Sequence, residues 1–285
     1  MTVARREILT GIASQFRRKN TMKQSVGSGW HTVLFIFLPV FLSFLVFSVR
    51  HTGSVEAAES FRLFDARRGE EGLPEGWRPL NFRNVKRHTV YRLLQEAGRP
   101  IIEAESDRSA SGIIRPLDLD PQVYQTIAWC WKVKGIISKG DAATKAGDDY
   151  AARIYVAFKF DPDEASFFEA AKFKTYKLLY GEYPPKGALN YIWANRMKKG
   201  DTLPNAYTNR ARMIAVESGD EKVGRWICQE RNLYEDYTKY FGEAPTRISG
   251  VAIMTDTDNT GETASAAFAD LELRAISDHH APLTD

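Results

Sequence analysis

The chain has 285 residues, a mass of 32.2 kDa, 44% hydrophobic and 26% charged residues, and a mean hydropathy of -0.36. This ordinary globular balance excludes an intrinsically disordered, collagen-like or polytopic membrane protein. The net charge of +3 arises in residues 1–57, which hold seven basic and two acidic residues. From Ala58 onward there are 32 basic and 34 acidic residues, so nucleic acid is an unfavourable partner.

The N-terminus has the pattern of an export signal. Val33–Val49 is an uncharged run of 17 residues that follows several Arg and Lys residues, and as a helix it spans roughly 26 Å. Val55–Ala57 has the small residues of a signal-peptidase site, which predicts a mature start at Ala58. We therefore expect a hydrophobic N-terminal helix and a periplasmic protein, either released by cleavage or held by an inner-membrane anchor. Translation starts at Met1 or at Met22.

No repeat or linker divides the remaining chain, so we expect a signal segment at 1–57, one domain at 58–276 and a flexible tail at 277–285. Period-two alternation dominates the domain. Ile127, Trp129 and Trp131 share one strand face, and Ile154 and Val156 share another. The pattern predicts an all-β antiparallel sandwich of jelly-roll type. Further strands are expected at Thr89–Gln95, Pro100–Glu105, Gly112–Leu117, Leu189–Trp193, Ala206–Ser218, Gly224–Gln229, Ile248–Thr255 and Thr263–Ala275.

Helical signals are confined to two places, so we expect one or two short helices. Asp161–Leu179 indicates a helix in a long insertion between strands. Asn232 and Glu235 form a capping-box pattern, and Gly242 is the expected C-terminal stop of that second helix.

Cysteine and histidine usage limits the chemistry. Cys130 and Cys228 are either a disulfide, formed in an oxidising compartment, or two separate small hydrophobic residues in apolar strands. After the N-terminal segment the chain has only His88, His279 and His280. Catalytic histidine triads and three-histidine zinc centres are therefore excluded, and any enzyme activity would depend on carboxylates, Tyr, Lys or Arg.

Five motifs occur in order along the chain: Gly147–Val156, Leu189–Trp193, Glu217–Gly219, Arg231–Tyr237 and Thr255–Gly261. Together they resemble a family of exported bacterial proteins called domain of unknown function 3047. The resemblance covers about Phe61 to Ile276, and the family has no established activity. The closing strand, Phe268–Leu273, is more distantly similar to the last strands of galactose-binding-like jelly rolls and carbohydrate-binding modules.

Asp256, Asp258 and Asn259 begin the densest cluster of oxygen ligands. Their spacing resembles the first half of a calcium loop, in which carboxylates stand at positions one and three and glycine at six. The twelfth position is Ala267, which excludes an EF-hand because that loop needs a bidentate Glu. The segment is therefore either a jelly-roll calcium site completed by ligands from elsewhere or a hairpin turn stabilised by its own polar side chains.

Charged and aromatic residues outside the expected core are candidates for ligand contacts. Alternation places Asp149 and Arg153 on the outward side of their strand, where they form either a sugar-binding pair or a structural ion pair. Tyr191 and Trp193 follow a long loop, which indicates a position near a rim, whereas Trp129 and Trp131 are expected in the core. The predicted ligand-binding residues are Asp149, Arg153, Tyr191, Trp193, Glu217 and Arg231.

Catalytic residues are not identified by the sequence. Glu103, Glu105 and Asp107 alternate on one strand face as in sandwich-fold glycosidases, but this spacing is common in exposed strands and no glycosidase motif accompanies it. The leading hypothesis is an exported, non-catalytic β-sandwich that binds an envelope glycan or another saccharide. The alternatives are a carbohydrate hydrolase or lyase, and a structural or partner-binding envelope protein.

Overall fold

The structure, a computed structural model, describes residues 60–82, 85–163 and 184–276. The expected N-terminal helix, the expected tail and most of the expected helix in 161–179 lie outside these residues. Within the described ranges, no helix is both long and apolar enough to cross a membrane.

Two β-sheets pack face to face and form the predicted sandwich. One has the order β11-β6-β13-β4-β3, with β1 paired to β13, and the other has the order β2-β5-β12-β7-β8-β10-β9. The strands are β1 (Ser60–Arg62), β2 (Arg78–Leu80), β3 (Val90–Glu96), β4 (Arg99–Asp107), β5 (Ala110–Leu119), β6 (Thr126–Val133), β7 (Arg153–Phe158), β8 (Gly187–Ala194), β9 (Thr202–Asn205), β10 (Thr208–Ser218), β11 (Ile227–Asn232), β12 (Ile248–Asp256) and β13 (Thr263–Arg274).

The all-β, antiparallel, jelly-roll-like class is confirmed, with two differences in detail. One pair in the seven-stranded sheet, β8 and β10, runs parallel. The single strand predicted over Ala206–Ser218 begins at Thr208, and a separate β9 pairs back onto it. Strands β1 and β2 are three residues each, too short to show a periodic pattern.

The helix predicted after Asn232 is present as α1 (Leu233–Phe241). The Asn232 side chain accepts a hydrogen bond from the Glu235 amide at 3.0 Å, which satisfies one of the free N–H groups of the first turn. Gly242 ends the helix with φ of 74°, a left-handed conformation that glycine adopts without steric cost.

An aromatic layer fills the space between the sheets. Trp129 and Trp131 of β6 are buried as predicted. The Trp129 ring lies 5.3 Å from that of Tyr191, and Trp131 lies 5.9 Å from Trp193. Because both members of each pair are at most 1% exposed, each large ring transfers most of its apolar surface out of water on folding.

Cys130 and Cys228 form a disulfide between neighbouring strands. They stand directly opposite each other in the β6–β11 ladder, so the pairing register of the strands brings the two sulfur atoms together. The alternative of two separate buried thiols is therefore wrong, and Cys228 is exposed on the outer face of the sheet. The bond closes a loop whose ends are 98 residues apart.

Replacing both cysteines by serine is expected to lower the free energy of unfolding by roughly 4–5 kcal/mol, the chain-entropy value for a loop of this length. Chemical denaturation of the double variant measures the loss, and the wild type in excess dithiothreitol should give the same midpoint as the variant. An unchanged midpoint in both samples would show that the disulfide does not contribute to stability.

Candidate functional site

A buried arginine and several carboxylates meet on the outer face of the seven-stranded sheet, where β7 and β12 pair with each other. Arg153 donates to Asp256 at 2.5 Å and lies 3.8 Å from Asp148, and all three side chains are fully buried. The Arg153 guanidinium also lies 5.0 Å and 5.4 Å from the ring centres of Tyr150 and Tyr155. Alternation thus placed Arg153 on the correct sheet face, but the predicted outward exposure is wrong.

The sequence pairs Arg153 with Asp149, either for sugar binding or as a structural ion pair. In the structure Asp148 and Asp256 lie against Arg153. Asp256 comes within reach because Met254, two positions before it, stands opposite Arg153 in the β12–β7 ladder. Removing one partner of a buried ion pair leaves the other charge without compensation, so such pairs hold local structure firmly in place. This end of the sheet is therefore rigid.

The three carboxylates of Asp149, Asp256 and Asp258 come together, with one oxygen of each within 4.8 Å of the others. Asp149 supplies the carboxylate from another part of the chain that a calcium site at 256–259 would require. Its carboxylate also accepts hydrogen bonds from the Asn259 side chain at 2.9 Å and the Thr260 amide at 2.7 Å, so it stabilises the turn as well. Oxygen ligands of this kind suit calcium, and the calcium site stays a prediction.

Calcium is expected to raise the melting temperature of the full chain, because a cation bound only to the folded state stabilises it by about 2.7 kcal/mol at 100 times its dissociation constant. EDTA should reverse the shift, and Asp258→Asn should abolish it. Asp270→Asn is the matched control, since that carboxylate lies on an exposed bulge of β13. An equal melting temperature with calcium and with EDTA would leave the segment as a turn alone.

Tyr191 and Arg231 share a partner that the sequence did not identify. Asp236, at the start of α1, accepts a hydrogen bond from the Tyr191 hydroxyl at 2.8 Å and from the Arg231 Nε at 2.9 Å. Burial is the first cause of a Tyr191 pKa well above its usual value, and the Asp236 charge adds to it. This network joins α1 to β8 and β11, so its shown role is to fix the helix on the sandwich.

The prediction that Tyr191 and Trp193 lie near a rim is wrong. Both occupy inward positions of β8, an interior strand between β7 and β10, and both are fully buried. The Trp193 indole donates to the Gly219 carbonyl at 2.9 Å. Neither ring presents a face to solvent, and the predicted ligand-binding residues therefore belong to separate clusters.

Glu217, opposite Trp193 in the β8–β10 ladder, is a buried carboxylate between two lysines. Lys222 lies 3.0 Å and Lys199 3.4 Å from the same oxygen. Burial opposes ionisation of Glu217, but hydrogen bonds from Lys222 and the Ser218 amide and the charges of both lysines together lower its pKa. The carboxylate therefore stays ionised and anchors the end of β10.

Glu217→Gln should destabilise the fold more at pH 7 than at pH 3. A lowered pKa contributes stability above the unfolded value of about 4.3, and that contribution is lost as the pH falls through the folded value. Denaturant unfolding at pH 7 and pH 3 measures the difference. Equal destabilisation at both values would show that lost packing, and not lost charge, is responsible.

An open cleft of about 560 Å³ lies at one end of the six-stranded sheet. Four segments bound it: residues 87–90, the end of β4, the end of β6 and the beginning of β13. Its wall contains cationic, anionic and hydroxyl groups together. The polar residues that line it are Arg87, His88, Glu105, Ser106, Asp107, Ser109, Lys134, Thr263 and Ser265.

The two carboxylates of the cleft are held by arginines. Arg92 donates to Glu105 at 2.6 Å, and this hydrogen bond lowers the Glu105 pKa. Arg108 and Arg87 lie 3.0 Å and 2.7 Å from Asp107, and their hydrogen bonds, led by that of Arg108, lower its pKa. Neither group is therefore suited to donate a proton at neutral pH, as a glycosidase acid must.

Among the residues that line the cleft, the sequence identifies only the two carboxylates as candidates. Glu105 and Asp107 were singled out by alternation, and the structure confirms that they share the outer face of β4, opposite the buried Ala104. Lys134 and Ser265 adjoin them only through the pairing of β13 with β4 and β6. No local sequence signal could have indicated that proximity.

A family model matches residues 75–272, which is more than half of the chain. The chain belongs to DUF3047, a family of proteins of unknown function. The match confirms the resemblance that the five motifs indicated. No curated protein matches the sequence of this DUF3047 member significantly.

Solved structures with a similar arrangement are distant from this DUF3047 chain. A family 11 carbohydrate-binding module from Clostridium thermocellum, in complex with a mixed-linked tetrasaccharide, is 11% identical with a TM-score of 0.34, covering 75% of this chain and 97% of its own. A mutant family 29 module is 10% identical with a TM-score of 0.32, covering 79% and 99%. A β-1,2-glucanase from Parabacteroides distasonis is 11% identical with a TM-score of 0.38, covering 77% and 26%. These values carry no argument about what this chain binds.

Proposed function

We propose that this protein is an exported, non-catalytic β-sandwich that binds a saccharide in the cleft at the end of the six-stranded sheet. The observation that carries the proposal is the composition of that cleft. Its volume of about 560 Å³ falls within the range of small-ligand sites. Hydrogen-bond donors and acceptors lie close together in its wall, which suits a ligand rich in hydroxyl groups.

The floor of the cleft is held by buried hydroxyl groups. Ser106 lies 2.9 Å from the Ser109 hydroxyl and 2.8 Å from that of Thr257. Thr89 donates to the Thr255 carbonyl at 2.7 Å, which ties the same region to β12. Because these side chains bond one another, the floor is pre-organised, and a ligand meets fixed partners without the cost of ordering them.

The non-catalytic part of the proposal is supported by the ionisation of the site. A hydrolase needs one carboxylic acid that remains protonated at working pH, and ion pairing lowers the pKa values of Glu105 and Asp107. A Tyr–Arg lyase site would need a tyrosine that ionises readily. Tyr150, beside Arg153, is buried, and that burial raises its pKa well above the usual value.

Export is part of the proposal and is supported by the sequence of residues 33–57 and by the disulfide. The disulfide suits an oxidising compartment such as the periplasm. Residues 33–49 would serve as a signal peptide or as an inner-membrane anchor, which is then the protein's only proposed contact with the membrane.

Binding of the purified full chain to peptidoglycan fragments, xylan and mixed-linkage β-glucan tests the function by calorimetry. We expect at least one of these probes to bind, and Lys134→Ala to weaken that binding about ten-fold because a charge-assisted hydrogen bond is lost. The Lys134 side chain is 68% exposed, so this change should not affect folding. Lys198→Ala, on an exposed loop between β8 and β9, is the matched control.

Two outcomes would contradict the proposed function. New reducing ends after incubation with a bound polysaccharide would contradict the non-catalytic part and support a hydrolase. The absence of binding to every probe would contradict saccharide recognition and favour the partner-binding envelope protein.

A further inference from the structure

The outer face of the six-stranded sheet carries a partly exposed tryptophan, Trp226, just before β11. The other described tryptophans, Trp77, Trp129, Trp131 and Trp193, are at most 3% exposed. Trp226 packs on three buried outward-facing residues of β4 and β13: Ile101, Ala267 and Ala269. Two of the three are alanines, and their small side chains leave room for an indole to lie against the sheet.

The Trp226 ring is fixed from several sides. Its indole N–H donates to Glu96 at 3.1 Å, and Lys132 donates to the other oxygen of Glu96 at 2.7 Å. The Arg99 guanidinium and the Lys132 ammonium lie 4.6 Å and 4.8 Å from the ring centre. Such cation–π contacts hold the ring in one orientation and keep hydrogen-bond donors beside it.

A backbone irregularity supports this arrangement. Asp270 has φ of 47°, at the bulge that interrupts the pairing of β13 with β6. Its carboxylate accepts a hydrogen bond from Arg99 at 2.5 Å. A non-glycine residue at positive φ costs free energy, and bulges of this kind re-aim side chains. Here the bulge places the carboxylate that holds Arg99 against Trp226.

Trp226 and the cleft lie on the same face of the same sheet. The outward positions of β4 run from Ile101, beneath Trp226, through Glu103 to Glu105 and Asp107 in the cleft. Four residues of extended chain separate Ile101 from Glu105, which is roughly 13 Å. Between them Arg92 lies 3.8 Å from Glu103 and 2.6 Å from Glu105, so polar groups continue along the face.

We infer that the saccharide site extends along this face from the cleft to Trp226 and takes a chain of several sugar units. The inference rests on the proposed function. The cleft holds one end of the chain through hydrogen bonds. At the other end, the exposed part of the Trp226 indole packs against the apolar C–H face of a more distant sugar, with Arg99 and Lys132 bonding its hydroxyl groups.

The test compares gluco- and xylo-oligosaccharides of one to six units with the full chain and its variants, by calorimetry and intrinsic fluorescence. We expect affinity to rise with length. Trp226→Ala should weaken hexasaccharide binding about ten-fold, the effect of losing one aromatic contact, and should leave disaccharide binding unchanged. Hexasaccharide should also change the fluorescence of the wild type and not that of Trp226→Phe.

Folding of both Trp226 variants is checked by thermal melting, and Trp226→Phe keeps the packing on Ala267 if the alanine variant proves unstable. Trp226→Phe should then retain part of the length dependence. Length-independent affinity that survives both substitutions would overturn the inference and leave saccharide binding in the cleft intact. Absence of binding to every oligosaccharide by the wild type would overturn the inference alone if peptidoglycan fragments still bind, and the proposed function as well if they do not.

Discussion

The aromatic layer between the sheets fixes which face of each sheet points outward, and the positions of the polar clusters follow from it. Trp129 and Trp131 on one sheet pack against Tyr191 and Trp193 on the other. Since side chains alternate along a strand, burying these four rings decides which side of β6 and β8 faces outward. The outer face of the six-stranded sheet in turn carries Lys132, Trp226 and the cleft carboxylates.

The two sheets differ in how their outer faces are used. On the seven-stranded sheet the outer face is buried around Arg153 and Tyr155. The ion pair between Arg153 and Asp256 holds β7 to β12. On the six-stranded sheet the outer face is polar and partly open, with surface ion pairs that contribute little to stability. The proposed saccharide site uses these charged groups together with the ring of Trp226.

The turn at residues 256–262 connects these regions. Thr257 bonds Ser106 in the floor of the cleft, and Glu262 accepts hydrogen bonds from the Ser138 and Lys139 amides at 3.2 Å and 2.8 Å. Asp149 stabilises the same turn from the seven-stranded sheet. The turn is therefore hydrogen-bonded both to the cleft and to the segment that precedes β7.

Features that depend on local periodicity and end signals were predictable from the amino-acid sequence. Alternation identified the longer strands, the burial of Trp129 and Trp131, and the shared face of Glu105 and Asp107, and Asn232 identified the start of α1. These patterns depend on neighbouring residues alone, because strand geometry repeats every two residues and a cap acts within one helical turn.

Contacts between residues far apart in the chain were not predictable from local patterns. Asp256 stands 103 residues from Arg153 along the chain, and the disulfide joins residues 98 apart. Tyr191 is buried because β8 is an interior strand. Trp226, which precedes the edge strand β11, reaches Glu96 of the opposite edge strand β3 because its ring lies across β13 and β4. Strand order and register result from packing the whole domain, and no local pattern encodes them.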